Sequence, residues 1–170
     1  MVSRSKIEPC PGVALTYSDM ALNVGDPAPD ITVQDDRGNP FQLSSLRGKT
    51  VVLYFYPKAD TPGCTKESCG FRDNASEIGR RGAVIIGVSP DAPDAQAKFK
   101  AKYELTFPLL ADEDHRVAEA FDVWKEKSMY GKTYMGVERT TFIIGPDGTI
   151  AKIFNKVKPE GHAEEVAAAL

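Results

Sequence analysis

Residues 50–73 read TVVLYFYPKADTPGCTKESCGFRD, and the two halves of this stretch carry different patterns. Residues 50–56 are a nearly unbroken apolar run, which is typical of a central strand covered on both faces. After a short polar linker, residues 62–80 have helical character. Residues 83–88, AVIIGV, form a second apolar run. The order strand, helix, strand therefore predicts a right-handed crossover unit in an α/β sheet.

Strands and helices continue to alternate on both sides of this unit. A short strand is predicted at residues 31–34, and a β-hairpin at residues 138–154 is predicted around the turn GPDG at 145–148. Further predicted elements are a short strand at 108–111 and helices at 94–104, 114–121 and 159–170. Because the hairpin adds antiparallel strands to a sheet that begins parallel, we expect an α/β fold with a central mixed β-sheet flanked by helices.

The length of 170 residues fits one domain with a short appendage. We assign residues 21–170 to the domain and residues 1–20, which are irregular in pattern, to an N-terminal extension. A net charge of -3 without a basic run gives no indication of a nucleic-acid or membrane partner. No stretch approaches the roughly 20 apolar residues of a membrane helix, and no secretory signal is apparent, so we expect a cytoplasmic protein.

Cys64 lies at the predicted start of a helix, just past the end of a buried strand, where open α/β sheets place their ligands. Thr61 is a favourable N-cap and Pro62 takes the first helical position, so we expect the Thr61 hydroxyl to accept a hydrogen bond from the N–H of Gly63 or Cys64. Unpaired N–H groups and about half a positive charge at a helix start favour thiolate over thiol. A thiolate can attack the O–O bond of a peroxide and become a sulfenic acid.

The chain has three cysteines, Cys10, Cys64 and Cys69, and an odd number does not form a structural disulfide framework. On an ideal helix, Cys69 would place its Cα about 8 to 9 Å from that of Cys64. A disulfide rarely spans more than about 7 Å. A bond between Cys64 and Cys69 therefore requires the first turns of the helix to unwind, which the mid-helix Gly70 would ease.

Three other classes of protein are weighed against a peroxidase. A zinc module needs a tetrahedral ligand set, which three scattered cysteines and two distant histidines do not form. We also expect no metal or other cofactor, because thiolate chemistry requires none. A thioredoxin-like disulfide oxidoreductase would use C-x-x-C, whereas four residues separate Cys64 from Cys69. A non-enzymatic redox sensor or chaperone could use the same cysteines, and turnover distinguishes it, because a sensor reacts once and an enzyme cycles.

The same segment resembles the active site of peroxiredoxins, whose pattern P-x-x-x-T-x-x-C matches Pro57, Thr61 and Cys64. The longer run TPGCTKESC, followed by FRD, is similar to the PrxQ subfamily, also called bacterioferritin comigratory proteins. The likeness extends from about residue 21 to the C-terminus through VGDPAPD at residues 24–30, VVLYFYP at 51–57 and RTTFIIGPDG at 139–148.

This resemblance implies a thioredoxin-like fold and thiol-dependent reduction of hydrogen peroxide and organic hydroperoxides. Cys64 would be the peroxidatic cysteine and Cys69 the resolving one, joined in an intramolecular disulfide that thioredoxin or a similar dithiol reductant would reduce. Thr61 would hydrogen-bond the peroxide and the thiolate, and Pro57 would shield the site from water. Arg139 would stabilise the thiolate and polarise the leaving oxygen. The subfamily is largely monomeric, so we expect a monomer.

Two of these assignments have alternatives. Arg139 could instead form a surface ion pair, for example with Glu138. Some members of the subfamily carry the resolving cysteine in a later helix, near residue 100, but this chain has Phe99 and Lys100 there. That arrangement is excluded, and Cys69 matches the position five residues after the first cysteine.

Overall fold

The computed structural model describes residues 22–170, so the predicted N-terminal extension, with Cys10, lies outside the described residues. The elements, in chain order, are β1 (Thr32–Asp35), β2 (Pro40–Gln42), a 3-10 turn (Leu43–Leu46), β3 (Thr50–Phe55), α1 (Pro62–Arg80), β4 (Ala83–Ser89), α2 (Pro93–Lys102), β5 (Leu109–Ala111), α3 (Arg116–Ala120), β6 (Trp124–Met129), β7 (Lys132–Val137), β8 (Thr140–Ile144), β9 (Ile150–Phe154) and α4 (His162–Ala169). Within residues 22–170, no helix has both the length and the apolar composition that crossing a bilayer requires.

A mixed sheet is the centre of the fold, with its strands in the order β2-β1-β5-β4-β3-β8-β9. The three central strands, β5, β4 and β3, are parallel to one another. The outer strands pair antiparallel: β8 with β3 and β9 with β8 on one side, and β1 with β5 and β2 with β1 on the other. The predicted α/β architecture with a central mixed sheet is confirmed. The predicted crossover unit is the segment β3-α1-β4, which supplies the two central parallel strands.

The alternate side chains of β3 enter two different hydrophobic clusters, one on each face of the sheet. On one face, Phe55 packs against Phe121 and the residues of α3. On the other face, Tyr54 packs against Phe71 of α1, in a cluster that also contains Val166 of α4. Helices α1, α2 and α4 therefore cover one face of the sheet and α3 covers the other, which is why residues 50–56 are apolar almost without interruption.

Two buried tyrosines fix the helices to the sheet through their hydroxyl groups. The hydroxyl of Tyr54 lies 2.8 Å from Ser68 Oγ of α1, and that of Tyr56 donates to Gln96 Oε1 of α2 at 2.5 Å. A Cβ at Gly87 of β4 would lie 2.9 Å from the Tyr54 hydroxyl, closer than real contacts allow. Glycine is therefore required at position 87 for the Tyr54 ring to cross the neighbouring strand.

The hairpin formed by β6 and β7 is absent from the sequence-based prediction. Its residues read WKEKSMYGKTYMGV and have no continuous apolar face. The two strands pair only with each other and not with the central sheet, so no core-facing apolar pattern is needed. The connection Tyr130-Gly131 has φ values of 51° and 75°, as in the type I′ turns that join two-residue hairpins. Strand β2 is also absent from the prediction, and the hairpin predicted from residue 138 begins at Thr140 instead.

Candidate active site

Cys64 lies where the sequence predicts, in the first turn of α1. The chain leaves β3 at the carboxyl end of the sheet, passes through residues 57–61 and enters the helix with Thr61 as the N-cap and Pro62 in the first turn. Pro57 is half-buried in this connection. Cys64 itself is fully buried, in the same cluster as Tyr54 of β3 and Tyr56, which follows that strand.

The loop of residues 57–61 is held by side chains from the loop after β4 and from the end of α2. The backbone N–H of Ala59 donates to Asp91 Oδ2 at 2.7 Å. Asp60, in a left-handed conformation with φ of 60°, accepts hydrogen bonds from the Tyr103 hydroxyl at 2.6 Å and from Lys102 Nζ at 2.9 Å. Both hydrogen bonds lower the pKa of Asp60, and the one from Tyr103 has the larger effect. The start of α1 is thereby anchored to α2 and to the loop that follows β4.

Thr61 is the N-cap residue, but the predicted capping hydrogen bond is wrong. Its hydroxyl donates to the carbonyl oxygen of Lys58 at 2.8 Å, because the turn at residues 58–61 brings that carbonyl within reach, and it does not cap the helix. The N–H groups of the first turn are consequently not occupied by the cap hydroxyl. They are available to a negatively charged group at the helix start.

Arg139 reaches Cys64 from the opposite side of the loop. It directly precedes β8, and the pairing of Thr140 with Phe55 places it beside the carboxyl end of β3. Its guanidinium Nη2 lies 3.3 Å from Cys64 Sγ, and its Nη1 donates to Glu67 Oε2 at 3.1 Å. The carboxylate partner of Arg139 is therefore Glu67, and the alternative of an ion pair with Glu138 is not what the structure shows.

Glu67 is the site residue that sequence reasoning missed. Its side chain is fully buried, and its Oε1 has no hydrogen-bond partner within the part of the chain that the structure describes. Burial raises the pKa of Glu67 to about 7, against the opposing effect of Arg139. The signal was its spacing of three residues from Cys64, which puts both on one helix face. A glutamate in a helix is usually solvent-exposed, so this signal is weak.

Burial and neighbouring charges also act in opposite directions on the pKa of Arg139. Burial lowers it, but the attraction of Glu67 and then of Cys64 prevails and raises the pKa of Arg139 above its ordinary value. The guanidinium is thus a fixed positive charge with two acceptors, one on each arm.

Gly63 makes the approach of Arg139 to the sulfur possible. A Cβ at this position would lie 3.2 Å from Arg139 Nη2 and 3.5 Å from Pro159 Cγ, on the loop before α4. The first distance is tighter than ordinary contacts, so any side chain at position 63 would displace the guanidinium. The residue before the cysteine is therefore part of the geometry of the site.

Cys69 lies on the same continuous helix as Cys64 and is half-buried, and both thiols are free. A helix that is regular from Pro62 to Arg80 keeps the two cysteines apart, as the spacing predicts. Gly70 has a packing role as well, because a Cβ there would lie 3.4 Å from the Cβ of Ala163 in α4. The close approach of α1 and α4 is a sufficient reason for this glycine.

The two histidines have structural contacts. His162 is buried, with its Nε2 2.8 Å from Thr141 Oγ1, and burial lowers its pKa. His115 stacks on Trp124 with the ring centroids 4.1 Å apart. Among residues 22–170, no three His, Cys, Asp or Glu side chains are grouped closely enough to hold a metal ion.

The fold and the site together define a class of protein. A cysteine sulfur at the start of the helix that follows a central strand is held between helix N–H groups and a buried guanidinium, which is an arrangement suited to a thiolate nucleophile. On a mixed sheet of this topology, it is the arrangement of a thiol-dependent oxidoreductase with a thioredoxin-like fold.

Comparison with known proteins identifies the family. Residues 24–153 match the model of the AhpC/TSA family. The peroxiredoxin Bcp of Bacillus subtilis is 50% identical over 146 residues, which are 86% of this chain and 93% of that protein, and the peroxiredoxin Bcp of Escherichia coli is 45% identical over 145 residues, or 85% and 93%. A structure of the Xanthomonas campestris bacterioferritin comigratory protein, 40% identical, superposes with a TM-score of 0.81 over 87% of this chain and 94% of that one. The chain belongs to the AhpC/TSA family of peroxiredoxins, and it is a thiol peroxidase.

Proposed function

We propose that Cys64 is the peroxidatic cysteine and that Arg139 activates it. The observation that carries this proposal is the 3.3 Å contact between Arg139 Nη2 and Cys64 Sγ at an uncapped helix start. The Cys64 thiolate attacks the terminal oxygen of the peroxide, the O–O bond breaks, and the sulfur becomes a sulfenic acid while the alkoxide or hydroxide takes a proton from solvent. Arg139 stabilises the negative charge on the sulfur before attack and on the leaving oxygen afterwards.

Thr61 and Pro57 have supporting roles in the proposed reaction. The Thr61 hydroxyl donates to a backbone carbonyl in the resting structure, and by rotating it can hydrogen-bond the peroxide or the thiolate. Pro57, half-buried at the end of β3, limits the access of water. Because Cys64 is fully buried, a peroxide reaches its sulfur only when a neighbouring group moves.

Cys69 is the proposed resolving cysteine. Its sulfur attacks the sulfenic acid of Cys64, water leaves, and an intramolecular disulfide forms. This step requires the first turns of α1 to unwind, because the two residues lie five positions apart on a regular helix. Thioredoxin or a similar dithiol reductant then restores both thiols, and the enzyme acts as a monomer in the cytoplasm.

Hydrogen peroxide and organic hydroperoxides are the proposed substrates. The Xanthomonas campestris relative is described by its alkyl peroxide reduction activity. The same chemistry applies to both kinds of peroxide, since the thiolate attacks the terminal oxygen in each case.

Steady-state turnover with thioredoxin, thioredoxin reductase and NADPH tests the proposal. We expect Cys64→Ser to have no peroxidase activity above background, because Cys64 supplies the thiol that contacts Arg139. We expect Cys69→Ser to consume one equivalent of peroxide and then to stop with thioredoxin as the reductant. Residual turnover in Cys64→Ser would refute the assignment of the nucleophile, and full turnover in Cys69→Ser would refute that of the resolving thiol. A wild-type protein that reacts only once would indicate a redox sensor.

A further inference from the structure

The β6–β7 hairpin is the most apolar exposed feature in the described part of the chain. Of the five large apolar side chains exposed among residues 22–170, four belong to it. They are Met129, Tyr130, Tyr134 and Met135. Tyr130 is 97% exposed at the tip of the hairpin. The two strands pair only with each other, so these side chains are not explained by packing in the core.

The hairpin is also basic, although the protein is acidic. Residues 124–137 contain three lysines and one glutamate, whereas the whole chain has a net charge of -3. Lys125 pairs with Asp122 at 2.9 Å. Among the described residues, Lys127 and Lys132 form no ion pair with a carboxylate, although the charge of Glu138 acts on Lys127. The hairpin therefore carries a net positive charge beside exposed apolar groups.

The pairing register places these two properties on one face. Lys127 lies opposite Tyr134, and Met129 lies opposite Lys132, and directly opposed residues of an antiparallel pair share a face. One side of the hairpin thus alternates basic and apolar side chains. We call these four residues the basic-apolar face.

The hairpin that carries the basic-apolar face is joined at its base to the catalytic centre. The base of the hairpin is closed by the hydrogen bond from the Glu138 N–H to the Val123 carbonyl at 2.8 Å, immediately before Arg139 in the chain. Burial first, and then the charge of Arg139, lower the pKa of Lys127, while Glu138 and then Cys64 raise it. A protein bound to this face would therefore contact the hairpin that leads directly into Arg139.

We propose that the basic-apolar face is the docking surface for the dithiol protein that reduces the Cys64–Cys69 disulfide, and that this partner presents an acidic rim and apolar groups around its thiols. The inference rests on the proposed function, since it supplies the partner of the same site. Charge complementarity selects an acidic partner, and a patch of large, exposed apolar side chains is typical of a protein contact. Opposite charges speed the encounter, and the apolar groups hold the complex while thiol–disulfide exchange proceeds.

The test is a comparison of two rates in the double variant Met129→Ser/Lys132→Glu, which alters one cross-strand pair of this face. We expect kcat/KM for a bacterial thioredoxin, with its reductase and NADPH, to fall by about tenfold, as for other steered encounters. Under single-turnover conditions, the rate of oxidation of Cys64 by hydrogen peroxide should not change. The wild-type kcat/KM for thioredoxin should decrease as the salt concentration rises, and that of the variant should depend on salt more weakly.

The matched control is Val24→Ser/Lys49→Glu, which makes the same changes in polarity and charge at exposed positions. Lys49 precedes β3 and therefore lies at the opposite end of the sheet from Cys64. Equal effects of the two double variants, or a kcat/KM for thioredoxin within twofold of wild type, would overturn the docking proposal. So would a wild-type dimer in sedimentation that the hairpin variant converts to a monomer, because the face would then bind a second copy. A failure of hydrogen peroxide to oxidise Cys64 would instead refute the proposed function, whatever the hairpin variants do.

Discussion

At the scale of single residues, the sulfur of Cys64 has two sources of positive potential that differ in origin. One is the start of α1, whose first turn is not capped by the Thr61 hydroxyl. The other is the Arg139 guanidinium, held 3.3 Å from the sulfur by a second contact with Glu67. Gly63 keeps the space between them open. The environment of the nucleophile is thus set by local chain geometry and by one residue that is distant in sequence, just before β8.

These residues differ in how far the sequence predicts them. Thr61, Pro62 and Cys64 are neighbours in the chain, so helix-start chemistry predicts their arrangement, although not the hydrogen bond that Thr61 makes. Arg139 is 75 positions from Cys64. Only a resemblance could pair them, because the contact depends on the register between β3 and β8. Glu67 could not be singled out, since its burial depends on how α1 packs in the complete fold.

Replacing Arg139 by lysine tests the two-armed contact. An ammonium group is a single point charge and cannot bond Glu67 and Cys64 in a fixed fork, so the Arg139→Lys variant retains the charge and loses the geometry. We expect the second-order rate constant with hydrogen peroxide to fall by about 100-fold. Stopped-flow measurement checks this, with the exposed Arg47→Lys as the control. A loss of less than threefold would show that charge alone is sufficient.

The raised pKa of Glu67 predicts a pH-dependent contribution to stability. Its pKa rises from 4.5 to about 7 on folding, so the folded state binds the proton more tightly. The stability that Glu67 contributes is therefore complete below about pH 4.5 and is lost as the pH rises through about 7. The test compares the unfolding free energy of Cys64→Ser with that of the double variant Cys64→Ser/Glu67→Gln. The first should fall relative to the second by something on the order of 3 kcal/mol between pH 4.5 and pH 7.

Urea unfolding at several pH values measures this difference. The control is Glu160→Gln, at an exposed carboxylate whose pKa is lowered by its own backbone N–H and by Lys66. Its contribution to stability is lost only as the pH falls below the ordinary range of a glutamate, so it should be constant between pH 5 and pH 8. A constant difference for Glu67→Gln over the same interval would contradict the account of this buried carboxyl.

At the scale of elements, helix α1 has to serve two states. Pro62 and Cys64 define its start, and its bounds, Pro62–Arg80, agree with the sequence because a cap residue, a proline and a terminal Arg-Gly region delimit it. In the reduced protein, the helix is held by the Tyr54–Ser68 hydrogen bond and by close packing of Gly70 on α4. The β6–β7 hairpin could not be predicted in the same way, because it has no apolar face to generate a periodic pattern.

The proposed disulfide predicts local unwinding of α1. On oxidation of the wild-type protein, amide hydrogens of residues 62–72 should lose protection, whereas those of residues 73–80 should stay protected, because Ile78 remains in the core. Hydrogen exchange followed by mass spectrometry checks this, with the oxidised Cys69→Ser variant as the control that keeps its helix. Equal protection of residues 62–72 in the reduced and the disulfide forms would contradict the unwinding step.

At the scale of the whole molecule, the site is assembled where three segments distant in sequence meet at the carboxyl end of β3. The first turn of α1 supplies Cys64, the residue before β8 is Arg139, and the loop before α4 brings Pro159 against Gly63. The sequence predicts the α/β class, because apolar runs and helical segments alternate. It does not predict the strand order, since β1 and β5 pair across more than 70 residues and nothing local specifies that partner.

The most direct test of the central claim is to add one equivalent of hydrogen peroxide to the fully reduced protein and to map the product by intact-mass and peptide mass spectrometry. The account predicts a loss of two hydrogens, with Cys64 linked to Cys69. A stable added oxygen on Cys64 with Cys69 free would keep Cys64 as the nucleophile and refute the internal resolution step. An unmodified Cys64 would contradict the central claim itself.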